Sequence, residues 1–171
     1  MFSRNREISY AFAAMAAVSG VYLFVYRGLG ALPAASSLFG HGLGTLGVVL
    51  MLATETAYSV RKQLPRATWG TNAAWLRFHM VTGLVGPYMV LLHTSMQFRG
   101  LAAATTVLMG AVVVSGVIGR YLYTAVPRTQ LGPERDALAT WHAVHVPLTW
   151  ALFTFAFMHG LVALYYGALQ R

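Results

Sequence analysis

The sequence has 171 residues, of which 57% are hydrophobic and only 9% are charged. Soluble domains carry roughly 25% charged residues, so this composition is typical of a membrane protein. The net charge is +8, but the basic residues form no dense patch, which argues against nucleic-acid binding. The absence of cysteine excludes disulfides, cysteine-bound iron–sulfur clusters and thiol catalysis, and it leaves histidine as the main soft ligand for a metal.

Five apolar segments predict transmembrane helices, because each is near or above the roughly 17–25 residues that cross the hydrocarbon core. They cover residues 8–26, 42–58, 76–98, 101–123 and 138–167. The first segment resembles a signal peptide, but its length and the lack of a small-residue cleavage site favour an uncleaved span. The sequence therefore predicts an all-α integral membrane bundle of about five transmembrane helices, with residues 1–171 forming a single domain.

Two local features qualify this prediction. Glycines at the start of the second segment weaken its helix propensity, and Pro147 in the fifth segment favours a bend.

Only Arg99 and Gly100 separate the third segment from the fourth. We therefore expect these two helices to be antiparallel neighbours.

The basic residues predict the orientation of the segments. With the N-terminus in the cytoplasm, nine basic residues fall on the cytoplasmic side and three on the outer side, which is a clear positive-inside bias. The nine are Arg4, Arg6, Arg61, Lys62, Arg66, Arg77, Arg120, Arg128 and Arg135, and the three are Arg27, Arg99 and Arg171. Trp69, Trp75 and Trp141 then lie near the cytoplasmic interface, as in an aromatic belt. We expect a protein of the bacterial inner membrane with its C-terminus outside.

Four histidines in the third and fifth segments form two pairs with the same spacing. His79 and His93 are fourteen residues apart, and so are His145 and His159. Fourteen helical residues turn about 1400°, within about 40° of four full turns, and rise about 21 Å. Each pair therefore projects from one helix face at two depths. Because the two segments run parallel in a five-helix bundle, we predict two haems between helices three and five, one ligated by His79 and His145 and one by His93 and His159.

Four further residues near these pairs are candidates for the same site. Gly83 and Gly86 share the histidine face of the third segment, where a residue without a side chain lets a flat macrocycle approach the backbone. His142 lies on roughly the same face as His145, so it is an alternative ligand or a hydrogen-bond donor to a propionate or a quinone. His41 fits an interfacial position better than a ligand position, and it is also a candidate for a quinone or proton site.

Charged side chains near the segment ends are candidate partners of the anionic haem propionates. Arg77, Arg120 and Arg128 suit the cytoplasmic haem and Arg99 the outer one. Arg120 is the best of them because it interrupts an apolar run, although a role in topology alone fits each arginine equally well. Glu55, the only carboxylate inside a segment, either pairs with a nearby arginine or takes part in proton transfer at a quinone site.

The two histidine pairs resemble those of the dihaem membrane cytochromes b. The segments Leu76–His79, Gly83–Pro87, Leu92–His93 and Ser115–Tyr123 are similar to bacterial ferric-reductase-like membrane proteins, over roughly residues 75–167. The resemblance implies a helical bundle in which two b haems exchange electrons across the membrane. Ferric reductases usually have six spans and a flavin- and NADPH-binding domain, whereas we expect five spans and no built-in dehydrogenase here. The quinol-oxidation motif Pro-Glu-Trp-Tyr of respiratory cytochromes b is also missing, so we expect separate redox partners.

The sequence thus predicts a dihaem cytochrome b subunit that transfers electrons between a membrane quinone pool and a partner redox protein of a respiratory chain. The expected cofactors are two b haems and, as a further candidate, a quinone. The expected partners are membrane lipid and a flavoprotein, iron–sulfur protein or c-type cytochrome, but no nucleic acid. One alternative is a membrane component that reduces ferric ions or oxygen and is fed by a separate flavoprotein. Another is a haem-free anchor or assembly subunit whose histidines serve only packing.

Overall fold

The computed structural model describes residues 6–63, 70–125 and 133–169, and these ranges contain five α-helices and no strand. The helices are α1 (Arg6–Leu29), α2 (Leu38–Gln63), α3 (Asn72–His93), α4 (Gly100–Ala125) and α5 (Pro133–Leu169). The predicted all-α fold with five helices is confirmed. The helices fall into two compact units, Met1–Met96 with α1 to α3 and Gln97–Arg171 with α4 and α5. A single transmembrane domain stays a prediction.

Four of the described helices contain stretches long and apolar enough to cross a membrane, namely Arg6–Leu29, Leu38–Ala57, Gly100–Leu122 and Asp136–Tyr166. Their surfaces expose large apolar side chains, including Phe24 at 80% and Val107 at 72%, which lipid accepts and water does not. The protein is therefore an integral membrane protein. The third predicted span is a helix, but it is not among the four.

The helix α3 ends at His93, so the prediction that it continues to Phe98 is wrong. Ser95 and Met96 adopt positive φ angles of 49° and 60°, which a right-handed helix cannot accommodate. The connection to α4 is therefore residues 94–99, and the two-residue connection read from the sequence is wrong as well. One consequence is that His93 lies in the last turn of α3.

Helix starts are also set by local chemistry that the hydropathy pattern does not contain. The Ser37 hydroxyl accepts the backbone N–H of Gly40 at 3.0 Å and caps the N-terminus of α2. The glycine-rich start of α2, expected to be weak, is therefore helical from Leu38. The first residue of α5 is Pro133, a position where the missing N–H has no intrahelical partner to lose.

In the first unit, α3 packs against both α1 and α2. The Ser19 hydroxyl of α1 lies 2.5 Å from the Tyr88 hydroxyl of α3. The contacts between α2 and α3 run in opposite order along the two helices, so these helices are antiparallel. The buried hydrophobic residues of this unit centre on α1 and α3 and include Ala11, Tyr22, Leu43, Val85 and Met89.

In the second unit, α4 and α5 form an antiparallel pair that buries Met109 and Leu152. Two threonines, Thr105 and Thr149, are also buried there. Each donates its hydroxyl to the carbonyl one turn earlier in its own helix, at 2.9 Å. Buried hydroxyls are tolerated in an apolar environment because these bonds satisfy them.

Candidate functional site

His93 packs against the first turns of α2. Its Nδ1 lies 2.8 Å from the carbonyl oxygen of Gly40. Its ring lies over Gly44, where an added Cβ would come within 2.8 Å of the ring carbon Cγ. Glycine at position 44 is therefore what leaves room for the imidazole in this orientation. The exposed ring of His41 lies close to that of His93, with ring centroids 6.2 Å apart.

His79 faces the same helix near its other end. Its Nδ1 lies 3.3 Å from the carbonyl oxygen of Thr54. The hydroxyl of Thr54 lies 2.6 Å from the hydroxyl of Thr82, and both threonines are buried. The Thr82 hydroxyl in turn donates to the carbonyl oxygen of Phe78 at 2.8 Å. The contacts of Thr54 with His79 and Thr82 link α2 to α3 at this end of the pair.

Both histidines of α3 thus direct Nδ1 at a backbone carbonyl of α2. A carbonyl oxygen only accepts hydrogen bonds, so Nδ1 carries the hydrogen and donates it. In a neutral imidazole, Nε2 is then the nitrogen that holds the lone pair. Histidines that bind metals through Nε2 have this arrangement, because the bond from Nδ1 fixes the tautomer and orients the ring.

The face of α3 between the two histidines lies against α2. A Cβ on Gly86 would lie 2.9 Å from the carbonyl oxygen of Gly47, so the two backbones meet at these glycines. A Cβ on Gly83 would make only an ordinary contact with Thr54 at 3.6 Å. Close packing of the two helices is by itself enough to explain why residue 86 is a glycine. The contact of Gly83 and Gly86 with a macrocycle stays a prediction.

His145, in the second unit, is held by side chains. Its Nδ1 lies 3.2 Å from the hydroxyl of Ser115 on α4. Trp141, one turn earlier on α5, stacks on the imidazole with centroids 5.1 Å apart and ring planes inclined by 23°. The indole N–H of Trp141 donates to the backbone carbonyl of Ser115 at 2.7 Å. Trp141, predicted as a residue of the aromatic belt, therefore also links α5 to α4 beside the histidine.

The surface of α4 beneath these two rings is made of small residues. Gly119 is buried, and a Cβ there would overlap the ring atoms Cζ2 and Cε2 of Trp141. A Cβ on Gly116 would lie 3.7 Å from Cε1 of His145, an ordinary contact. Next to the rings is an open groove of about 730 Å³. Its mostly apolar lining includes Ser115, Trp141, Val114, Ile118, Val144 and Leu148.

The remaining candidate histidines are less constrained. His159 is half-buried on α5, and no residue within the described ranges forms a hydrogen bond with it. His142 is exposed, and its ring lies edge-on to that of Trp141, with centroids 6.1 Å apart. Of the two histidines at the start of α5, the structure orients His145 by polar contacts with the neighbouring helix.

The charged candidates lie at different depths. Arg77 is exposed and donates from Nε to the carbonyl of Ala73 one turn earlier, at 3.3 Å. Arg120 and Glu55 are half-buried in α4 and α2, and Arg99 is exposed. Other residues used to predict orientation lie outside the described residues, namely Arg4, Arg66, Trp69, Arg128 and Arg171.

The residues that orient the histidines were missed by sequence reasoning. In α2 they are Gly40, Gly44 and Thr54, and in the second unit they are Ser115 and Trp141. Gly40 and Gly44 form a Gly-x-x-x-Gly pattern, which is typical of close helix packing in membranes and could have been noticed. Ser115 gives no such signal, because it reaches His145 across thirty residues of sequence.

No group of three or more histidine, cysteine, aspartate or glutamate side chains is arranged to hold a metal ion in the part of the chain that the structure describes. A haem iron held by two imidazoles needs only two protein ligands, so it does not require such a group. Comparison with known protein families, curated proteins and solved structures gives no match for this chain.

Proposed function

We propose that this protein is the membrane subunit of an electron-transfer complex and that it binds two b-type haems through His79, His93, His145 and His159. We propose that it passes electrons between a membrane quinone pool and a partner redox protein, in the bacterial inner membrane, with its N-terminus in the cytoplasm. The pairing of His79 with His145 and of His93 with His159 remains the sequence-based prediction.

The observation that carries this proposal is the orientation of the two α3 histidines. Both place Nδ1 within 3.3 Å of an α2 backbone carbonyl, which assigns the lone pair to Nε2. A histidine that serves as an axial ligand needs this tautomer, and the fixed Nδ1 bond strengthens it as a ligand. The two histidines are fourteen residues apart on one helix face, which is the spacing that two haem sites at different depths of the membrane require.

The residues present also fit the chemistry of a haem. The available donors are imidazoles, and the open groove lined by Ser115 and Trp141, which both contact His145, offers an apolar surface. A haem held by two of these imidazoles would supply one-electron redox chemistry, which suits electron transfer. The role of the protein is to supply and orient the imidazoles and to keep water away from them.

A second candidate is a haem-free anchor subunit, and one observation favours it. The hydrogen bonds of His79 and His93 to α2 would also be expected of histidines that only hold two membrane helices together. At Gly86 and Gly47, α2 and α3 approach so closely that not even a Cβ fits between them. Haem content therefore separates the two candidates.

The test is haem quantification of the purified protein, expressed with haem supplied, together with a reduced-minus-oxidised spectrum. We expect two b haems per chain with a sharp low-spin α band. Replacing His93 or His159 with alanine should remove one haem and leave the other, because each haem loses one of its two axial ligands.

Two exposed histidines provide matched controls. His41→Ala and His142→Ala change histidines that lie close to His93 and His145 but are exposed. Both variants should keep two haems. A wild-type protein without haem would leave the anchor subunit as the better reading. Loss of a haem from His142→Ala would make His142 a ligand and overturn the pairing.

A further inference from the structure

The histidines with described partners differ in the chemical nature of the group at Nδ1. In α3, His79 and His93 meet backbone carbonyl oxygens, which only accept hydrogen bonds. His145 instead meets the hydroxyl of Ser115, which can either donate or accept. The main chain therefore fixes the tautomer of His79 and His93 in the first unit. In the second unit, the partner of His145 is a side chain, which a substitution can remove.

A second contact holds Ser115 and His145 in this geometry. Trp141 stacks on the imidazole and also donates its indole N–H to the backbone carbonyl of Ser115. The indole in turn lies on Gly119, where no side chain is tolerated. One aromatic ring thus touches both members of the pair, and glycine at position 119 makes room for it.

We infer that Ser115 is a positioning residue: its hydroxyl contacts Nδ1 of His145 and so orients this imidazole as an iron ligand. We also infer that Trp141 holds the side chains of Ser115 and His145 in place relative to each other. This inference rests on the proposed function. A ligand that binds through Nε2 carries its hydrogen on Nδ1, so the Ser115 hydroxyl accepts that hydrogen bond. The bond increases the electron donation of the imidazole, which favours ferric over ferrous iron.

The sign of the expected effect follows from this bond. Removing the hydroxyl in Ser115→Ala weakens the electron donation of His145, so the midpoint potential of one haem should rise and that of the other should stay unchanged. Ser115→Thr keeps a hydroxyl on Cβ and should restore the wild-type potential. Trp141→Phe keeps an aromatic ring but loses the indole N–H, and should give a smaller rise than Ser115→Ala.

The experiment is a redox titration of both haems in the purified wild-type protein and these three variants, with the ferric low-spin EPR signals as a second readout. Gly110→Ala is the control for a change on α4, because a Cβ at this position meets no atom within 4 Å. Helical content by circular dichroism, compared with this control, identifies any variant that fails to fold. In that case the titrations of Ser115→Thr and Trp141→Phe decide the question.

Three outcomes separate the inference from the proposed function. Two retained haems with one raised potential, restored by Ser115→Thr, support the inference. Two retained haems with unchanged potentials and EPR signals in Ser115→Ala and Trp141→Phe overturn it and leave the proposed function intact. A wild-type protein that binds no haem overturns both.

Discussion

The two units hold their histidines by different means. In the first unit, α2 offers backbone carbonyls to His79 and His93. In the second, α4 offers the Ser115 hydroxyl to His145, and Trp141 adds a stacked ring. Glycine is essential to both arrangements for the same reason: Gly44 leaves room for the imidazole of His93, and Gly119 leaves room for the indole of Trp141.

This difference shows that a histidine can be oriented either by a backbone group, which substitution leaves in place, or by a side chain, which substitution can change. A backbone carbonyl cannot be removed by substitution, so the α3 histidines are changed only by altering the distance between α2 and α3 or the space around the imidazole, as at Gly44. A side-chain hydroxyl can be removed without moving a helix. Substitutions at Gly119 and Gly47 should therefore act mainly on stability, whereas changes at Gly44 and Ser115 should act selectively on one histidine.

The largest effect is expected at Gly119. In Gly119→Ala, the added methyl overlaps the indole of Trp141. This ring cannot move away easily, because it is stacked on His145 and hydrogen-bonded to Ser115. Overpacking typically costs about 1–3 kcal/mol, occasionally more, and we expect Gly119→Ala at or above the upper end of this range because its overlap is the deepest. Thermal unfolding in detergent should show a clear loss of stability, with loss of the Trp141 contact visible in fluorescence. Gly110→Ala, on the same helix, should be neutral or stabilising, and equal behaviour of the two variants would contradict the predicted clash.

A similar but smaller loss is expected where α2 and α3 meet. In Gly47→Ala, the Cβ would lie 2.8 Å from the carbonyl oxygen of Gly86 and 3.1 Å from the backbone nitrogen of Val90. Main-chain atoms can withdraw only if the helices separate, so we expect a loss of about 1–3 kcal/mol in the free energy of unfolding.

The matched control for Gly47 is Gly83→Ala, whose Cβ would be at an ordinary 3.6 Å from Thr54. This change should gain up to about 1 kcal/mol, since alanine favours helix over glycine. A Gly47 variant as stable as the Gly83 variant would show that α2 and α3 do not approach as closely as described.

A smaller change in stability, but a selective change at one histidine, is expected for Gly44→Ala. Its Cβ would come within 2.8 Å of Cγ in His93, and the imidazole can rotate away more easily than a backbone. We expect about 1 kcal/mol of destabilisation and a lower content of one haem in the loaded protein. Gly42→Ala meets nothing within 4 Å, and it should keep full haem content. Identical haem content in both variants would count against the His93 orientation.

The smallest effect is expected from the threonine pair. Thr82→Val removes a hydroxyl that lies 2.6 Å from Thr54 and donates to Phe78, while keeping the side-chain shape. Hydrogen bonds between membrane helices contribute about 0.6 kcal/mol on average, so thermal unfolding should shift only slightly. A loss above about 2 kcal/mol would mean that this polar pair, rather than glycine packing, holds α2 and α3 together.

The sequence predicted the helices well because hydropathy and length decide which segments suit a membrane. It failed at the end of α3, where the turn at Ser95 and Met96 interrupts a segment that is still apolar. It also underestimated the helicity at the start of α2. Helix propensities of single glycines do not include the cap from Ser37 or the packing of the His93 ring on Gly44. Local bonds and long-range contacts determine such positions, and hydropathy contains neither.

By itself, the sequence determined that this is an all-helical membrane protein and that His79 and His93 lie on one helix face, because composition and helical periodicity are local properties. The structure confirms that both side chains turn to the same neighbouring helix. Only the tertiary structure decided which atoms hold them: the carbonyls of Gly40 and Thr54 in one unit, and Ser115 with Trp141 in the other. These partners are distant along the chain, and only the packing of antiparallel helices brings them within hydrogen-bond reach.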